Sequence, residues 1–351
     1  MKKHLDLLKE ILATGVNLPD RTGAGRRKVF GRQLRFNLQE GFPLPTTRQM
    51  FTGTLIKETL WFLTGSCSNK DLRDKGVSIW NLWELTDEYL DRFKSDSVSL
   101  ELINRVKEAN DRVRSKVLDN FLKEIHTDTK NYFNYKPVEL GDSIRHTAIA
   151  NNRINSIGRM YGAIWRGKDT EGDRVGRDQI AELVYNLKND PYGSRHCVSA
   201  WDPETAALPD FSPEENVLLG FGCLTACHCF FQCIVIPNEA TGKNQLSLAL
   251  NIRSSDTPVG LSYNIAQYAL LTHMLAQVTD MEVGDLVINL GDAHIYFNQI
   301  ETAKIHVQRE PLPLPSLWLN PEIKNIDDFK FDDIRIENYQ HHEKLDYKVN
   351  K

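Results

Sequence analysis

Residues 223–235, CLTACHCFFQCIV, place four cysteines and one histidine in a segment with the composition of a β-strand. Aromatic and β-branched residues, which favour strands, dominate its second half. In a strand, Cys227, Cys229 and Cys233 lie along one line, with about 7 Å for each step of two residues. Ligands on a line cannot surround a metal ion, and the spacing C-x3-C-x-C-x3-C lacks the paired C-x2-C of structural zinc sites. We therefore expect no metal site, and buried, inert thiols except for one cysteine that could react.

The cysteine count and charge of the chain indicate a reduced, soluble protein. Six cysteines in 351 residues, four of them crowded together, do not resemble a secreted disulfide framework. A formal net charge of -4 argues against a strongly basic nucleic-acid-binding protein. No apolar run of about 18 residues occurs, and charged residues interrupt the N-terminal stretch MKKHLDLLKEILATG, which predicts an amphipathic helix rather than a signal peptide. We expect a cytoplasmic location, in the host cytoplasm if the chain is viral.

Strand and helix patterns are mixed along the chain without a strict βαβ alternation, which is typical of an α+β fold. The Gly- and Pro-rich stretch after the first helix contains KVFG (28–31) and LRFNL (34–38), which predict a hairpin of short strands. Further helices are predicted at 52–64, 178–190 and 262–279, and further strands at 196–201, 246–253, 285–298, FKF (329–331) and IRIEN (334–338).

Residues 86–150 differ in amino-acid composition from the rest of the chain. No glycine occurs between Gly76 and Gly141, a stretch that covers most of residues 86–150, and these residues are rich in charge. An apolar stripe recurs there near helical spacing, at Leu102, Val106, Val113, Val117, Phe121 and Ile125. It predicts a mostly helical insertion within a single catalytic domain formed by residues 1–351. Acidic residues interleave with the Lys and Arg, and no aromatic and basic platform is present, so we expect no nucleic acid partner.

Four residues stand out chemically before any family is considered. Arg253 ends the strand that follows the cysteine segment, so pairing of the two strands brings its guanidinium near Cys227, and a nearby cation stabilises a thiolate. His228 faces the opposite side of an ideal strand, so a Cys–His pair requires a bulge. Glu58 lies on an apolar stripe of the predicted helix 52–64. It is either a carboxylate at the edge of the core or an acid whose raised pKa suits proton transfer.

Several stretches, in order along the chain, resemble segments of thymidylate synthases and of the related pyrimidine-nucleotide hydroxymethylases. They are PDRTGAG (19–25), KETLWFL (57–63), IWNLW (79–83), YGAIWR (161–166), NDPYGSRHCVSAW (189–201), ACHCFFQ (226–232), RSSDTPVGLSYNIAQYALL (253–271), EVGDLVINLGDAHIY (282–296) and REPLPLP (309–315). The resemblance covers nearly all of the chain apart from 86–150. It implies the α+β fold of thymidylate synthase, with a mixed sheet packed with helices, and a homodimer. It also implies a transferase of nucleotide biosynthesis that acts on dUMP with 5,10-methylenetetrahydrofolate as co-substrate.

The resemblance implies covalent catalysis by Cys227. A thiolate that adds to C6 of the uracil ring makes C5 nucleophilic, so that C5 can attack the one-carbon unit of the folate. Arg253 aligns with a residue that helps hold the thiolate. Glu58 aligns with a carboxylate that manages protons through water, and His228 with a residue of the same water network. Tyr161 aligns with the group implicated in removing the C5 proton.

The resemblance also implies a phosphate site to which two subunits contribute. Arg21, Arg253 and Ser254 align with residues of one subunit, and guanidinium groups suit phosphate. Arg195 and His196 align with two arginines that reach the site from the partner subunit. His196 therefore departs from the family pattern. Because a neutral imidazole carries less charge than an arginine, we expect the change to affect phosphate affinity and not the type of reaction.

Three further alignments concern the nucleoside. Asn264 aligns with the asparagine that recognises the pyrimidine edge, and an amide can accept from N3–H and donate to O4 of uracil. Relatives that act on cytosine tend to carry aspartate there, so Asn264 favours dUMP over dCMP. His294 and Tyr296 align with the pair that binds the 3′-hydroxyl of the sugar. Without the resemblance, His294 would be interpreted as a buried structural histidine.

The folate contacts implied by the resemblance are Asp256, toward a pterin nitrogen, and Trp80, against the ring system. Asn81 stands beside Trp80 where the family has aspartate. Some of the aligned residues have a plain structural alternative. Trp80 and Tyr161 could be core aromatics, and Arg21 could be an ordinary charge in a loop.

The final step decides between methylation and hydroxymethylation. A dry site favours hydride transfer, which gives dTMP and dihydrofolate, whereas an open site lets water add and gives 5-hydroxymethyl-dUMP. Asn81, Ile164, Ala226 and the terminal Lys351 depart from the synthase pattern around the folate and the closing tail. Trp80, which shields the methylene carbon, is retained. We expect a hydroxymethyltransferase, with the methyltransferase reaction of thymidylate synthase as the alternative.

A catalytically inactive or RNA-binding relative is a third interpretation, with residues 86–150 as an interaction surface. Loss of Cys227, Arg253 or Asn264 would have favoured it, and all three are present. We therefore expect an active enzyme.

Overall fold

The computed structural model describes residues 1–20, 23–131 and 140–350, with backbone alone for 126–131. The chain divides into two compact units, which are described separately. The first unit comprises Met1–Leu63, Gln179–Ser199 and Cys227–Lys351, and the second comprises Thr64–Asp178 and Ala200–Ala226. Arg21 and Lys351 lie outside the described residues.

The first unit is built on a six-stranded mixed sheet with the strand order β1-β2-β6-β5-β4-β3. Its strands are β1 Val16–Leu18, β2 Arg26–Asn37, β3 Cys197–Ser199, β4 His228–Asn238, β5 Lys243–Asp256 and β6 Glu282–Tyr296. β5 and β6 pair in parallel and the other neighbours are antiparallel. A separate two-stranded sheet pairs β7 Ser316–Leu319 with β8 Ile334–Glu337. The predicted α+β class with a mixed sheet is confirmed.

Helices accompany the sheet along the described chain. They are α1 Lys2–Thr14, α2 Thr52–Thr64, α3 Lys70–Arg73, α4 Asp87–Leu90, α5 Asp96–Val113, α6 Lys116–Asn131, α7 Leu140–Ala150, α8 Gly162–Arg166, α9 Gln179–Asn189, α10 Pro213–Leu219, α11 Gly260–Val278 and α12 Ile300–His306.

The core of the first unit lies between the sheet and α11. Alternate residues of β5, such as Leu248 and Leu250, are buried on the face toward α11, as the two-residue period of a strand requires. α11 is apolar on most of its surface and is almost wholly buried, including polar residues such as Ser262 and Gln267. Buried polar groups need hydrogen-bond partners, so we expect the polar side chains of α11 to form hydrogen-bonded clusters with their neighbours.

The predicted hairpin at KVFG and LRFNL is wrong. Both segments, except Leu38, belong to the single strand β2. It pairs with β6 from Arg26, opposite Tyr296, to Asn37, opposite Asp285. Gly31 takes a φ of 67°, a conformation that glycine reaches without steric strain, and the strand continues through it. The strand predicted at FKF is also wrong. Its last residue begins a 3-10 helix, Phe331–Asp333, whereas the strand at IRIEN is present as β8.

The described part of residues 86–150 is mostly helical and belongs to the second unit. α5 and α6 bury the predicted stripe at Leu102, Val106 and Phe121. Val113 is 40% exposed, because α5 ends there and Arg114 takes a left-handed conformation. That residues 86–150 form an insertion within a single catalytic domain stays a prediction.

Among the described residues, none of the helices is both long and apolar enough to cross a membrane. The cytoplasmic location stays a prediction.

Two buried histidines link α1 and α12 in the first unit. The His4 Nε2 lies 2.9 Å from the backbone oxygen of Thr257, and burial lowers the pKa of His4 to about 4. The His306 Nε2 lies 2.8 Å from Thr47 Oγ1, and its Nδ1 lies 2.9 Å from the Tyr347 hydroxyl. Burial, followed by the nearby His4, lowers the pKa of His306 to about 2. Both imidazoles are therefore neutral in the folded protein near pH 7.

The depressed pKa of His4 predicts acid destabilisation. In the unfolded chain this histidine gains a proton near pH 6.5, whereas in the folded chain it does so only near pH 4. Its contribution to the free energy of unfolding is therefore complete above pH 6.5 and is lost as the pH falls toward 4. At pH 5 the loss amounts to about 2 kcal/mol. Urea unfolding of His4→Gln should show a smaller decrease between pH 7.5 and pH 5 than the unsubstituted protein.

The matched control is His341→Gln, at an exposed position. It should leave the pH dependence of unfolding unchanged. An equal loss of stability in all three proteins between pH 7.5 and pH 5 would contradict the assignment.

Candidate active site

The pairing of β4 with β5 brings Cys227 and Arg253 together. Cys227 directly precedes β4, and its backbone oxygen accepts from the Arg253 backbone N–H at 2.9 Å. The Arg253 Nη2 lies 3.8 Å from Cys227 Sγ. Cys227 is partly exposed, whereas Cys223 and Cys233 are buried. A partly exposed sulfur beside a guanidinium is the setting in which a thiolate is stabilised and accessible.

The other cysteines differ in exposure, and Cys67, Cys223 and Cys233 are buried core residues. Burial raises the pKa of Cys233, and it raises the pKa of Cys67 to about 12. Cys197 is exposed to solvent and Cys229 is partly exposed. Among the described residues none of the cysteines forms a disulfide. Cys227 therefore differs from its neighbours in the cation that lies beside it.

A β-bulge lies where a Cys–His pair would need one. The register of β4 against β5 shifts between His228 and Phe230, so that consecutive residues no longer alternate strictly between the faces. His228 is buried, and its Nδ1 lies 2.8 Å from the Tyr268 hydroxyl on α11. Burial lowers the pKa of His228 to about 3, so the ring is neutral at pH 7. His228 can therefore accept or donate hydrogen bonds but does not carry a charge.

A chain of side-chain amides connects Glu58 with Asn264. Glu58, on α2, is 7% exposed, and its Oε2 accepts from Gln267 Nε2 at 2.6 Å. The Oε1 of Gln267 accepts from Asn264 Nδ2 at 3.4 Å. Asn264 and Gln267 are three residues apart on α11 and share one face of the helix. The buried carboxylate predicted at the edge of the core is thus held by a hydrogen bond that points toward the residue predicted to recognise the base.

His294 and Tyr296 lie together at the end of β6. Their rings meet edge to face with centroids 4.9 Å apart. The His294 Nδ1 lies 2.9 Å from Asp292 Oδ1, and since a carboxylate only accepts, Nδ1 carries the proton. In the neutral ring Nε2 is then an acceptor, and it is buried without a partner among the described residues. A ligand hydroxyl fits this unpaired atom, because a buried acceptor needs a hydrogen-bond donor.

Asp256 ends β5 and is held by Gln299. The Asp256 Oδ2 accepts from Gln299 Nε2 at 3.1 Å, and burial raises the pKa of this carboxyl. The same Nε2 donates to the backbone oxygen of Lys348 in the C-terminal tail at 2.8 Å, and the Gln299 Oε1 accepts from the Tyr296 N–H at 3.1 Å. One buried amide therefore joins the predicted folate contact, the predicted sugar contact and the tail. A carboxyl held in this way fits a donor group such as a pterin N–H.

The remaining predicted folate residues lie in the second unit. The ring of Trp80 lies 6.1 Å from that of Tyr161 and 5.6 Å from that of Trp83. The Oδ1 of Asn81 accepts from Asn69 Nδ2 at 3.0 Å. Tyr161 is buried and has a φ of 38°, which is unfavourable for a residue with a Cβ and is typical of functional sites.

The residues predicted at the phosphate differ in exposure. Arg195, Arg253 and Ser254 are accessible to different degrees, with both arginines exposed. His196 is 2% exposed, and its Nε2 lies 3.2 Å from the Pro191 backbone oxygen. Its side chain is thus buried within the chain, and its predicted reach to a partner stays a prediction. Arg21 lies outside the described residues.

Sequence reasoning missed Gln267, Tyr268, Asp292 and Gln299. Gln267 follows Asn264 by three residues on a predicted helix, and that spacing was the available signal. Asp292 and Gln299 carried no signal in the sequence, because their contacts depend on the register at the end of β6.

Comparison with known proteins accounts for this arrangement. The family model described as thymidylate synthase matches residues 2–351. Thymidylate synthases of Francisella tularensis subsp. holarctica, from strains FTNF002-00 / FTA, OSU18 and LVS, are each 35% identical over 349 residues, which is 99% of this chain and 99% of theirs. These matches define a folate-dependent one-carbon transferase that acts at C5 of dUMP. The chain belongs to the thymidylate synthase family, whose co-substrate is 5,10-methylenetetrahydrofolate.

The Cys227–Arg253 geometry predicts a difference in thiol reactivity. Removing the cation in Arg253→Gln should slow alkylation of Cys227 by iodoacetamide at pH 7.5 by about tenfold, because less of the sulfur is then ionised. Peptide mapping by mass spectrometry follows each cysteine separately. Arg35→Gln, at an exposed arginine of β2 that has no predicted role in the site, is the control and should leave the rate at Cys227 unchanged. Equal rates in the two variants would count against a thiolate held by Arg253.

Proposed function

We propose that the protein methylates dUMP to dTMP, with dihydrofolate as the second product and Cys227 as the covalent nucleophile. The observation that carries this choice is the attachment of the C-terminal tail to Asp256 through Gln299. The Gln299 Nε2 donates hydrogen bonds both to the backbone oxygen of Lys348 in the tail and to the Asp256 carboxylate. A tail fastened to the predicted folate contact supports a closed site, and exclusion of water favours hydride transfer over hydration.

Further contacts attach the C-terminal tail to the rest of the first unit. The His342 N–H donates to the Thr46 oxygen at 2.9 Å, and Arg309 Nη1 donates to the Glu343 oxygen at 2.6 Å. The Tyr347 hydroxyl meets the buried His306 ring. These contacts do not involve the side chain of Lys351. The unusual residue at that position therefore weakens closure of the site less than the sequence alone suggests. The printed name of the Francisella relatives, thymidylate synthase, agrees with this choice.

Some of the proposed roles are supported by contacts already described, and the others follow from the resemblance to the family. Cys227 attacks C6 while Arg253 stabilises its thiolate and, with Ser254, binds phosphate. Glu58 moves protons through water at the base, and the unpaired Nε2 of His294 accepts from the sugar hydroxyl. The folate supplies the one-carbon unit when bound.

Hydroxymethylation is the second candidate, and the departures at Ile164 and Ala226 favour it. In the second unit both residues line one cavity of about 10 Å³, so two of the changes from the family pattern are neighbours in space. A cavity of that size holds about one water molecule. A water-sized space lined by altered residues is the feature expected of a site that admits water.

Product analysis decides between the two reactions. With dUMP and 5,10-methylenetetrahydrofolate we expect dihydrofolate, seen by its absorbance change, and dTMP in equal amounts by chromatography. Formation of 5-hydroxymethyl-dUMP with tetrahydrofolate would overturn the choice of product and leave the family chemistry intact.

The control for that assay is Cys227→Ser, which should form neither product because the alkoxide is far less available than a thiolate. Undiminished turnover in Cys227→Ser would overturn covalent catalysis itself. Cys229→Ser, two residues away, should retain activity.

A homodimer is part of the same proposal, and the uncovered face of the sheet supports it. On β4 the side chains of Ile234 and Ile236 are 37% and 57% exposed, on the face opposite the one that packs toward α11. A sheet face with exposed apolar residues suits a second copy of the chain. Arg195, which is exposed near β3, would then be available to the partner's phosphate.

Subunit complementation tests the shared site. Arg195→Ala and Cys227→Ser should each be inactive or nearly so. After unfolding and refolding together in equal amounts, half of the dimers are mixed and each contains one intact site, so activity should return to about one quarter of the unsubstituted level. No recovery, with dimers present by sedimentation, would contradict a contribution of Arg195 across the interface.

A further inference from the structure

We infer that Gln267 is a positioning residue that fixes the orientation of the Asn264 amide and thereby sets the preference for uracil over cytosine. The inference rests on the proposed function, in which Asn264 meets the edge of the base. Its evidence is the hydrogen-bonded chain from Glu58 through Gln267 to Asn264, in which every partner lies in the first unit.

The polarity of this chain is set at Glu58. A carboxylate has acceptors only, so the group of Gln267 that faces it is the Nε2 donor, at 2.6 Å. Gln267 is 5% exposed, and its side-chain amide has a donor end and an acceptor end. With Nε2 committed to Glu58, Oε1 is the end that faces Asn264. Reversing the Gln267 amide would set its oxygen against the carboxylate, and two unpaired acceptors in a buried place are strongly unfavourable.

The same logic fixes Asn264. Because Gln267 presents an oxygen, Asn264 turns its Nδ2 toward it, at 3.4 Å. One N–H of Asn264 is then used, and its second N–H and its Oδ1 are the groups left to meet a base. A donor and an acceptor in a fixed order match O4 and N3–H of uracil.

Cytosine needs the opposite order, because its N3 accepts and its amino group donates. To bind cytosine, Asn264 must rotate its amide and bring Oδ1 against the Oε1 of Gln267. Relief of that clash requires Gln267 to turn as well, which brings its oxygen against Glu58. Discrimination therefore comes from an unfavourable contact with the wrong base as well as a favourable one with the right base.

The test compares two substitutions of nearly equal size. Gln267→Met removes both polar ends, so the Asn264 amide can turn, and the ratio of kcat/KM for dUMP to that for dCMP should fall by about tenfold or more. Gln267→Glu keeps an oxygen toward Asn264, and its other oxygen shares a proton with Glu58. It should therefore retain the preference for dUMP even where its overall rate falls. A residue needed only for packing would not separate the two variants in this way.

The matched control is Gln277→Met, on the same helix. Gln277 donates to the backbone oxygens of Asn320 and Ile323 and contacts neither Glu58 nor Asn264. Its nucleotide preference should be that of the unsubstituted protein. Calorimetric titration of each variant with dUMP and with dCMP, without folate, gives a second readout that does not depend on turnover.

The outcomes separate the two proposals. If the unsubstituted protein neither binds nor converts dUMP, the proposed function fails. If it converts dUMP and Gln267→Met keeps the full preference over dCMP, the role of Gln267 is refuted and the proposed function stands. If Gln267→Met does not fold, loss of the preference in Gln267→Glu by itself refutes the inference.

Discussion

The antiparallel contact between β4 and β5 is the interaction on which the rest of the site depends. It fixes Cys227, directly before β4, opposite Arg253 near the end of β5. A backbone hydrogen bond of 2.9 Å joins the two residues, and the Arg253 Nη2 lies 3.8 Å from the Cys227 Sγ. Both side chains are at least partly exposed, as the proposed contact with a nucleotide requires, while the buried face of the same strands forms the core. Neither residue needs a flexible loop to reach the other, so the sulfur meets its cation before any ligand binds.

Around this pair the protein relies on neutral, oriented groups more than on charges. His228 is kept neutral by burial, and amides of Gln267 and Gln299 carry the connections to Glu58 and Asp256. An amide has a donor end and an acceptor end, so it transmits direction from one partner to the next without the desolvation penalty of a buried ion. That is a suitable construction for a site that must distinguish the edges of similar bases.

Much of this was accessible from the sequence, for identifiable reasons. The nearness of Cys227 and Arg253 followed from adjacent strands, and the burial of Glu58 followed from the helical stripe of α2, whose bounds were predicted as observed. The hairpin at KVFG failed because a glycine inside a long strand carries the same signal as a glycine in a turn, and only pairing with β6 distinguishes them.

Other features had no local signal at all. The shift at His228 depends on how two strands are aligned over their whole length, and the positive φ of Tyr161 is imposed by its surroundings rather than by its own preference. Contacts such as that of Gln299 with Lys348 join positions 49 residues apart, which no periodicity can reveal.

The single amide of Gln299 has a thermodynamic consequence for the tail. Its nitrogen holds the Lys348 carbonyl and the Asp256 carboxylate at the same time, so lifting the last residues alters the electrostatic surroundings of that carboxylate. The coupling is reciprocal. Protonation of Asp256, or binding of a ligand to it, changes the free energy of detaching the tail by the amount by which detachment changes that protonation or binding. The fraction of molecules with an attached tail therefore depends on what is bound at Asp256.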